Sequence, residues 1–298
     1  MKKKTLLLHK NFTCITMRFV REYLQNDFTE EQKGSLNMPA TYAHYLFGKK
    51  VYKKLSRDVQ QIIKENQPAY LLGLHGPDLV FYYRPVGKNR INQIGTRMHR
   101  ELASEFFETG REQYQERPSY VLLSYLCGFL CHFMLDSECH PYISRYMEEQ
   151  ELGHLEIETD FDRHLMILDG LNPVTHVCTR HLIRDLDTEE VIAPLFGITP
   201  EQVDESILGF RRCIRLFQCP GKKKAAFLRN FFRLIGQKDN LGGLVMTGIP
   251  NPKCEESSDF LTERLEHAVL PAVQIIQEYV SVIDSKEPLS QRLNRDFE

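Results

Sequence analysis

The spacing of apolar and polar positions reads as helix along nearly the whole chain, with almost no strand signal. Apolar residues recurring on one helical face predict helices at about 41–54, 56–65, 91–115, 118–137, 154–169, 174–184, 199–218, 222–236 and 257–284. Punctuation supports several of these boundaries. Thr199, then Pro200 at the first helical position and Glu201, is a helix start. Pro141 is expected to close the central helix, and Gly170 the helix after it. Long loops are expected at 73–92, around Gly76-Pro77-Asp78, and at 242–258, with Gly243, Gly248, Pro250 and Pro252. The run 119–135 carries no formal charge and approaches the length of a membrane span. His132 within it and Asp136 beside it identify it instead as a buried central helix.

The first 37 residues break this pattern. They show no sustained period and carry seven basic and four acidic side chains, leaving the rest of the chain at −5. An amphipathic stretch then opens at Met38, with Tyr42, Tyr45, Leu46 and Val51 spaced for one face. The expected organisation is an extension over 1–37, untranslated or disordered, and a single all-α multi-helix domain over 38–298. Lys33-Gly34-Ser35, encodable by a purine-rich stretch, is the reason to expect a start at Met38.

Composition is that of an ordinary globular protein, 42% hydrophobic and 26% charged. A net charge of −2 gives no general electrostatic reason to expect nucleic acid as a partner. The eight cysteines include no C-x2-C pair, and a chain of 298 residues needs no disulfide staples. Leu6-Leu7-Leu8 is broken at once by His9 and Lys10, so no secretory signal is read and a cytoplasmic location is expected. Lys222-Lys223-Lys224, with Arg229 and Arg233 beyond, can attract phosphate or membrane headgroups; a solvated helix start is the plainer reading. No Gly-rich phosphate loop of standard spacing is present.

The chemistry concentrates between His132 and Glu158. His132-x3-Asp136-x3-His140 is followed by His154-x3-Glu158, and every step within the two clusters is i,i+4. On a helix, such residues share a face and can hold one ion. Imidazole with carboxylate is the ligand set of zinc and its neighbours. An unpaired His132 and Asp136 beside the apolar run would be costly, and a metal compensates them. Cys127 and Cys131 nearby read as small buried core residues. Outlying candidates are His44 on the first helix, Asp78 in the Gly-Pro-Asp turn and His99. A proline-held turn carboxylate is rigid, which suits a ligand.

With those residues in view the chain resembles the bacterial zinc-dependent phospholipase C family, over about 38–182. The set His44, Asp78, His99, His132, Asp136, His140, His154 and Glu158 is similar, in order, to that family's ligand series. Met38-Pro-Ala-Thr-Tyr-Ala-His44, Gly73-Leu-His-Gly-Pro-Asp78 and His132-x3-Asp136-x3-His140-Pro141 resemble its intracellular branch. Fungal zinc nucleases acting on single strands look similar in scaffold.

The resemblance implies an all-helical domain holding two or three Zn2+ ions. By position, Asp78, His99, His132 and Asp136 would hold one ion, and His140, His154 and Glu158 a second. His44, with Asp136 bridging, would hold a third. In the family that third ion is also held by the terminal amine and carbonyl of an N-terminal tryptophan; this chain contains no tryptophan. A start at Met38, with the methionine removed, would bring the amine of Pro39 near the site. The implied activity is hydrolysis of a phosphodiester to an alcohol and a phosphomonoester, with Asp78 as general base and ligand. Paired zinc ions clamp a phosphoryl group and lower the pKa of bound water towards about 7. Asp162, Asp160, Glu156 and Glu138 are candidates for orienting the histidines. The family's choline pocket has an aromatic directly after the loop aspartate, where this chain has Leu79. Phe81, Tyr82 and Tyr83 follow, able to stack on substrate or to cap the core. The expected partner is a small phosphodiester or a phospholipid headgroup; nucleic acid is allowed but not indicated. Two alternatives stay open: a nuclease or nucleotidase on the same scaffold, and a non-catalytic metal-stabilised helical scaffold.

Overall fold

The side-chain hydroxyl of Ser119 accepts the Leu122 N–H and starts helix α6, Tyr120–Gln150, about which the other elements are arranged. The computed structural model describes residues 40–85, 88–234 and 241–297; the expected 1–37 extension and the amine of Pro39 lie outside them. At 31 residues α6 is about 46 Å long. It is apolar on all sides and buried almost continuously from Leu122 to His140. By length and composition it is the one described helix able to cross a membrane, yet 89% of its most apolar window is covered by the rest of the protein.

Around α6 pack α1 (Thr41–Tyr52), α2 (Arg57–Glu65), α3 (Gln67–Gly73), α5 (Ala103–Glu116), α7 (His154–Leu168), α8 (Leu186–Phe196) and α11 (Glu255–Val282). A 3-10 turn, Gly76–Tyr82, packs against α4 (Asn92–Met98) and α9 (Pro200–Phe217). Helix α10, Lys222–Leu234, lies at the periphery. Among the described residues there is no β-strand, only an isolated bridge between Gln218 and Met246. The architecture is all-α, as the periodicity predicts.

Several local expectations are corrected. The helix expected over 91–115 is two, α4 and α5, separated by 99–102. The break is held from the far end of the chain: Phe297 donates its N–H to His99 O, and Ala103 donates to Arg295 O. Pro141 does not end α6, which runs nine residues further. An interior proline costs about 3 kcal/mol, and the burial of Ile143 and Tyr146 beyond it offsets that cost. The segment 174–184 forms turns, not a helix, with Gln218 Nε2 donating to Pro173 O and His176 O. Helices α3 and α8 lie outside the predicted set, and the Gly76–Tyr82 turn falls where a loop is expected.

Two glycines fix the approach of α3 to α6. A Cβ on Gly73 would meet Tyr125 O at 2.2 Å, and one on Gly128 would meet Tyr70 O at 2.2 Å. The backbones therefore touch, which pins the end of α3, and with it the turn carrying Asp78, against the middle of α6. Gly128→Ala is expected to destabilise the protein by about 1–3 kcal/mol through overpacking, read as a lower urea midpoint. An unchanged midpoint would contradict the backbone contact.

Candidate metal centre

Helix α6 lines up His132, Asp136 and His140 on one face, and α7 presents His154 and Glu158 towards the end of that face. Opposite them, α1 contributes His44, the 3-10 turn Asp78, and the C-terminal end of α4 His99. All eight predicted ligands meet in one connected run. His154 Nε2 lies 3.2 Å from Glu158 Oε1, and His140 Nε2 lies 3.6 Å from Glu158 and 3.8 Å from Asp136. Asp136 then reaches His44 at 3.1 Å, His132 at 2.9 Å and His99 at 3.9 Å. Asp78 closes the far end, 3.2 Å from His99 and 3.6 Å from His132.

The donors fall into three groups of metal-binding size: His44, Asp78 and His132; His99, His132 and Asp136; and His140, His154 and Glu158. The His140, His154 and Glu158 group is the one expected; His99, His132 and Asp136 group without Asp78, which joins His44 and His132 instead. Three protein ligands leave one position of a tetrahedral zinc open, the arrangement of catalytic sites.

Unmet polar atoms test whether zinc fits. Asp78 Oδ2 and both ring nitrogens of His132 are buried without a hydrogen-bond partner. His132 Nε2 sits 2.9 Å from an Asp136 oxygen but is not aligned for a hydrogen bond with it. Two donor atoms side by side and aimed at common space are what co-ligands of one ion present. His99 Nδ1 is 2.7 Å from Gly95 O, which holds the proton on Nδ1 and leaves the Nε2 lone pair facing the carboxylates. The donor set fits zinc. Gly76, with φ +44°, keeps the turn close: a Cβ there would meet His132 Cδ2 at 2.2 Å.

The carboxylates expected to orient histidines do other work. Asp162 accepts the N–H groups of Tyr42 at 2.9 Å and Ala43 at 2.8 Å, capping from α7 the helix that carries His44. Burial pushes its carboxyl up to about 7 against the pull of those donors. Asp160 and Glu156 accept from Asn251, tying down the 242–258 segment, and Glu138 pairs with Arg295 at 3.1 Å. Phe81, Tyr82 and Tyr83 correct the substrate-stacking expectation. All three are buried, Phe81 stacked on His99 and Tyr82 on Phe210. They are core residues that back the site.

Sequence reasoning missed three residues beside the cluster. His75 and His181 face each other, Nε2 to Nε2, at 2.7 Å, with Tyr45 stacked on His181. Burial holds both rings neutral, His75 well below its ordinary pKa and His181 near 3. Phe297 packs against His99 and His132, with ring centroids 5.4 and 6.0 Å away. No spacing signal connects residues so distant in sequence.

Protonation of the metal-free cluster follows from its pairing. Burial disfavours charge on His140, yet Asp136 and Glu158 outweigh it and raise its pKa to about 9. His44 and His99 are raised for the same reason, by Asp136 and Asp78 respectively. Burial would raise Glu158, but His154 and His140 bring it down to about 2, and Asp136 is lowered by His132, His140 and His44. The histidine contributions to metal-free stability are complete below about 6.5 and are lost as pH rises through about 9. The Glu158 contribution is present above about 4.5 and is lost as pH falls towards 2. Zinc competes with protons for the same nitrogens. The rise in melting temperature on adding zinc to chelator-treated protein is therefore expected to grow between about pH 6.5 and 9. A rise that shrinks over that window in circular dichroism melts would contradict the ligand assignment.

A model of the zinc dependent phospholipase C family matches residues 43–200. No curated protein and no solved structure matches the chain. The matched span contains all eight residues of the cluster, from His44 to Glu158. The chain belongs to the zinc dependent phospholipase C family.

Proposed function

We propose that the protein is a zinc-dependent phosphodiester hydrolase of phospholipase C type, cleaving a small phosphodiester or phospholipid headgroup to an alcohol and a phosphomonoester. The observation that carries the reading is the unbroken run of imidazole and carboxylate groups, buried except at one end. His154, with a side chain 33% exposed, forms that end. The substrate phosphoryl group enters from that end, past His154 and His140, towards Asp136 and Asp78. Zinc, when bound, supplies Lewis-acid chemistry, withdrawing charge from phosphoryl oxygens and lowering the pKa of water towards about 7.

Within this reading, His140, His154 and Glu158 would hold one zinc ion, and His44, Asp78, His99, His132 and Asp136 would hold the rest. Asp78 Oδ2, buried and unpartnered, accepts the proton of the attacking water. The water oxygen bonds to phosphorus as the bond to the alcohol oxygen breaks, and the departing alkoxide takes a proton from solvent to leave as the alcohol. Asp136 touches four histidines and fixes the spacing of the whole set.

Asp78→Asn is expected to lower hydrolysis of a chromogenic phosphodiester such as bis(p-nitrophenyl) phosphate by about a hundredfold or more, with the fold retained. His132→Ala is expected to lose metal and thermal stability together. Full activity in the Asp78 variant would sink the mechanism.

A further inference from the structure

We propose that α10, with the end of α9 before it, is an anionic-lipid docking surface on which the chain settles at a membrane. Residues 206–234 contain eight basic and no acidic side chains, in a chain whose net charge is −2. Helix α10 is amphipathic towards the protein, burying Ala225, Leu228 and Phe232. Its outer side is unlike an ordinary solvated face. Phe227 is 49% exposed and Leu234 85% exposed, and half-buried Phe231 lies between them at helical spacing. Lys222, Lys223, Arg229 and Arg233 lie along one side of this apolar ridge, all exposed and without an ion-pair partner among the described residues.

Lys224 shows the contrast. It turns inward and donates to Arg215 O and Gln218 O, capping the end of α9. Arg212 and Arg215 extend the positive surface onto α9. Basic residues beside exposed aromatic and aliphatic side chains are the composition of a helix lying in a bilayer interface: cations meet headgroup phosphates and the ridge enters the acyl boundary. Nucleic acid would use the cations but leave the Leu234 ridge in water, so a lipid surface accounts for more of what is exposed. The surface is read from α9 and α10 alone and stands apart from the metal reading.

The test is co-sedimentation of the full chain with vesicles of phosphatidylcholine alone and with about one-third phosphatidylserine, using zinc-loaded and chelator-treated protein. Binding is expected on the anionic vesicles, weakened by salt and similar with and without zinc. Arg229→Gln with Arg233→Gln is expected to lower the partition coefficient roughly thirtyfold, and Phe227→Ser with Leu234→Ser about tenfold or more. These residues face solvent, and unchanged circular dichroism would show that the variants fold. No binding to anionic vesicles, or binding that both double variants retain, would overturn the proposal. So would variants that retain vesicle binding but lose affinity for a single-stranded oligonucleotide, which would assign the surface to nucleic acid.

Discussion

Asp136 is the constraint on which the rest of this structure depends. It is a carboxylate almost wholly buried on the most apolar helix of the chain, within 4 Å of four histidines from two helices and the end of a third. A lone buried carboxylate of this kind would be expensive. Surrounded by imidazoles that pair with it, it becomes the centre around which the domain closes. The Gly73–Gly128 approach brings the Asp78 turn down onto α6, the Asp162 cap sets α1 and its His44, and the broken helix after Met98 aims His99 inward.

Parts of the domain outside the family match also shape the site. Phe297 packs behind His99 and His132, and its backbone ties to His99. Arg295 bonds Ser137 Oγ and Glu138, both between His132 and His140 on α6. The 242–258 segment is fastened to α7 through Asn251, which contacts Asp160 and Glu156. The last hundred residues thus form the wall on which the ligand helices are held, and α10 carries the strongest concentration of positive charge.

How far the sequence could be read depended on the range of the interactions. His132, Asp136, His140, His154 and Glu158 were legible because i,i+4 spacing places ligands on one face without help from elsewhere. The all-α class was legible for the same reason, through local periodicity. Pro141 misled because a local rule lost to packing: Tyr142, beyond the proline, stacks on Phe260 at 4.0 Å, a contact between α6 and α11. The break between α4 and α5 has no local signal, since Arg295 and Phe297 hold it from the other end of the chain. His75 and His181, 106 residues apart, could be paired only by the fold. Phe81–Tyr83 were ambiguous by nature, because an aromatic run suits a substrate platform and a core equally.

The measurement that tests the account most directly is elemental analysis of metal per chain, on protein purified without chelator. Eight candidate ligands in three groups, two of which share His132, predict two or three zinc ions per chain. A folded protein with no bound metal would contradict the central claim.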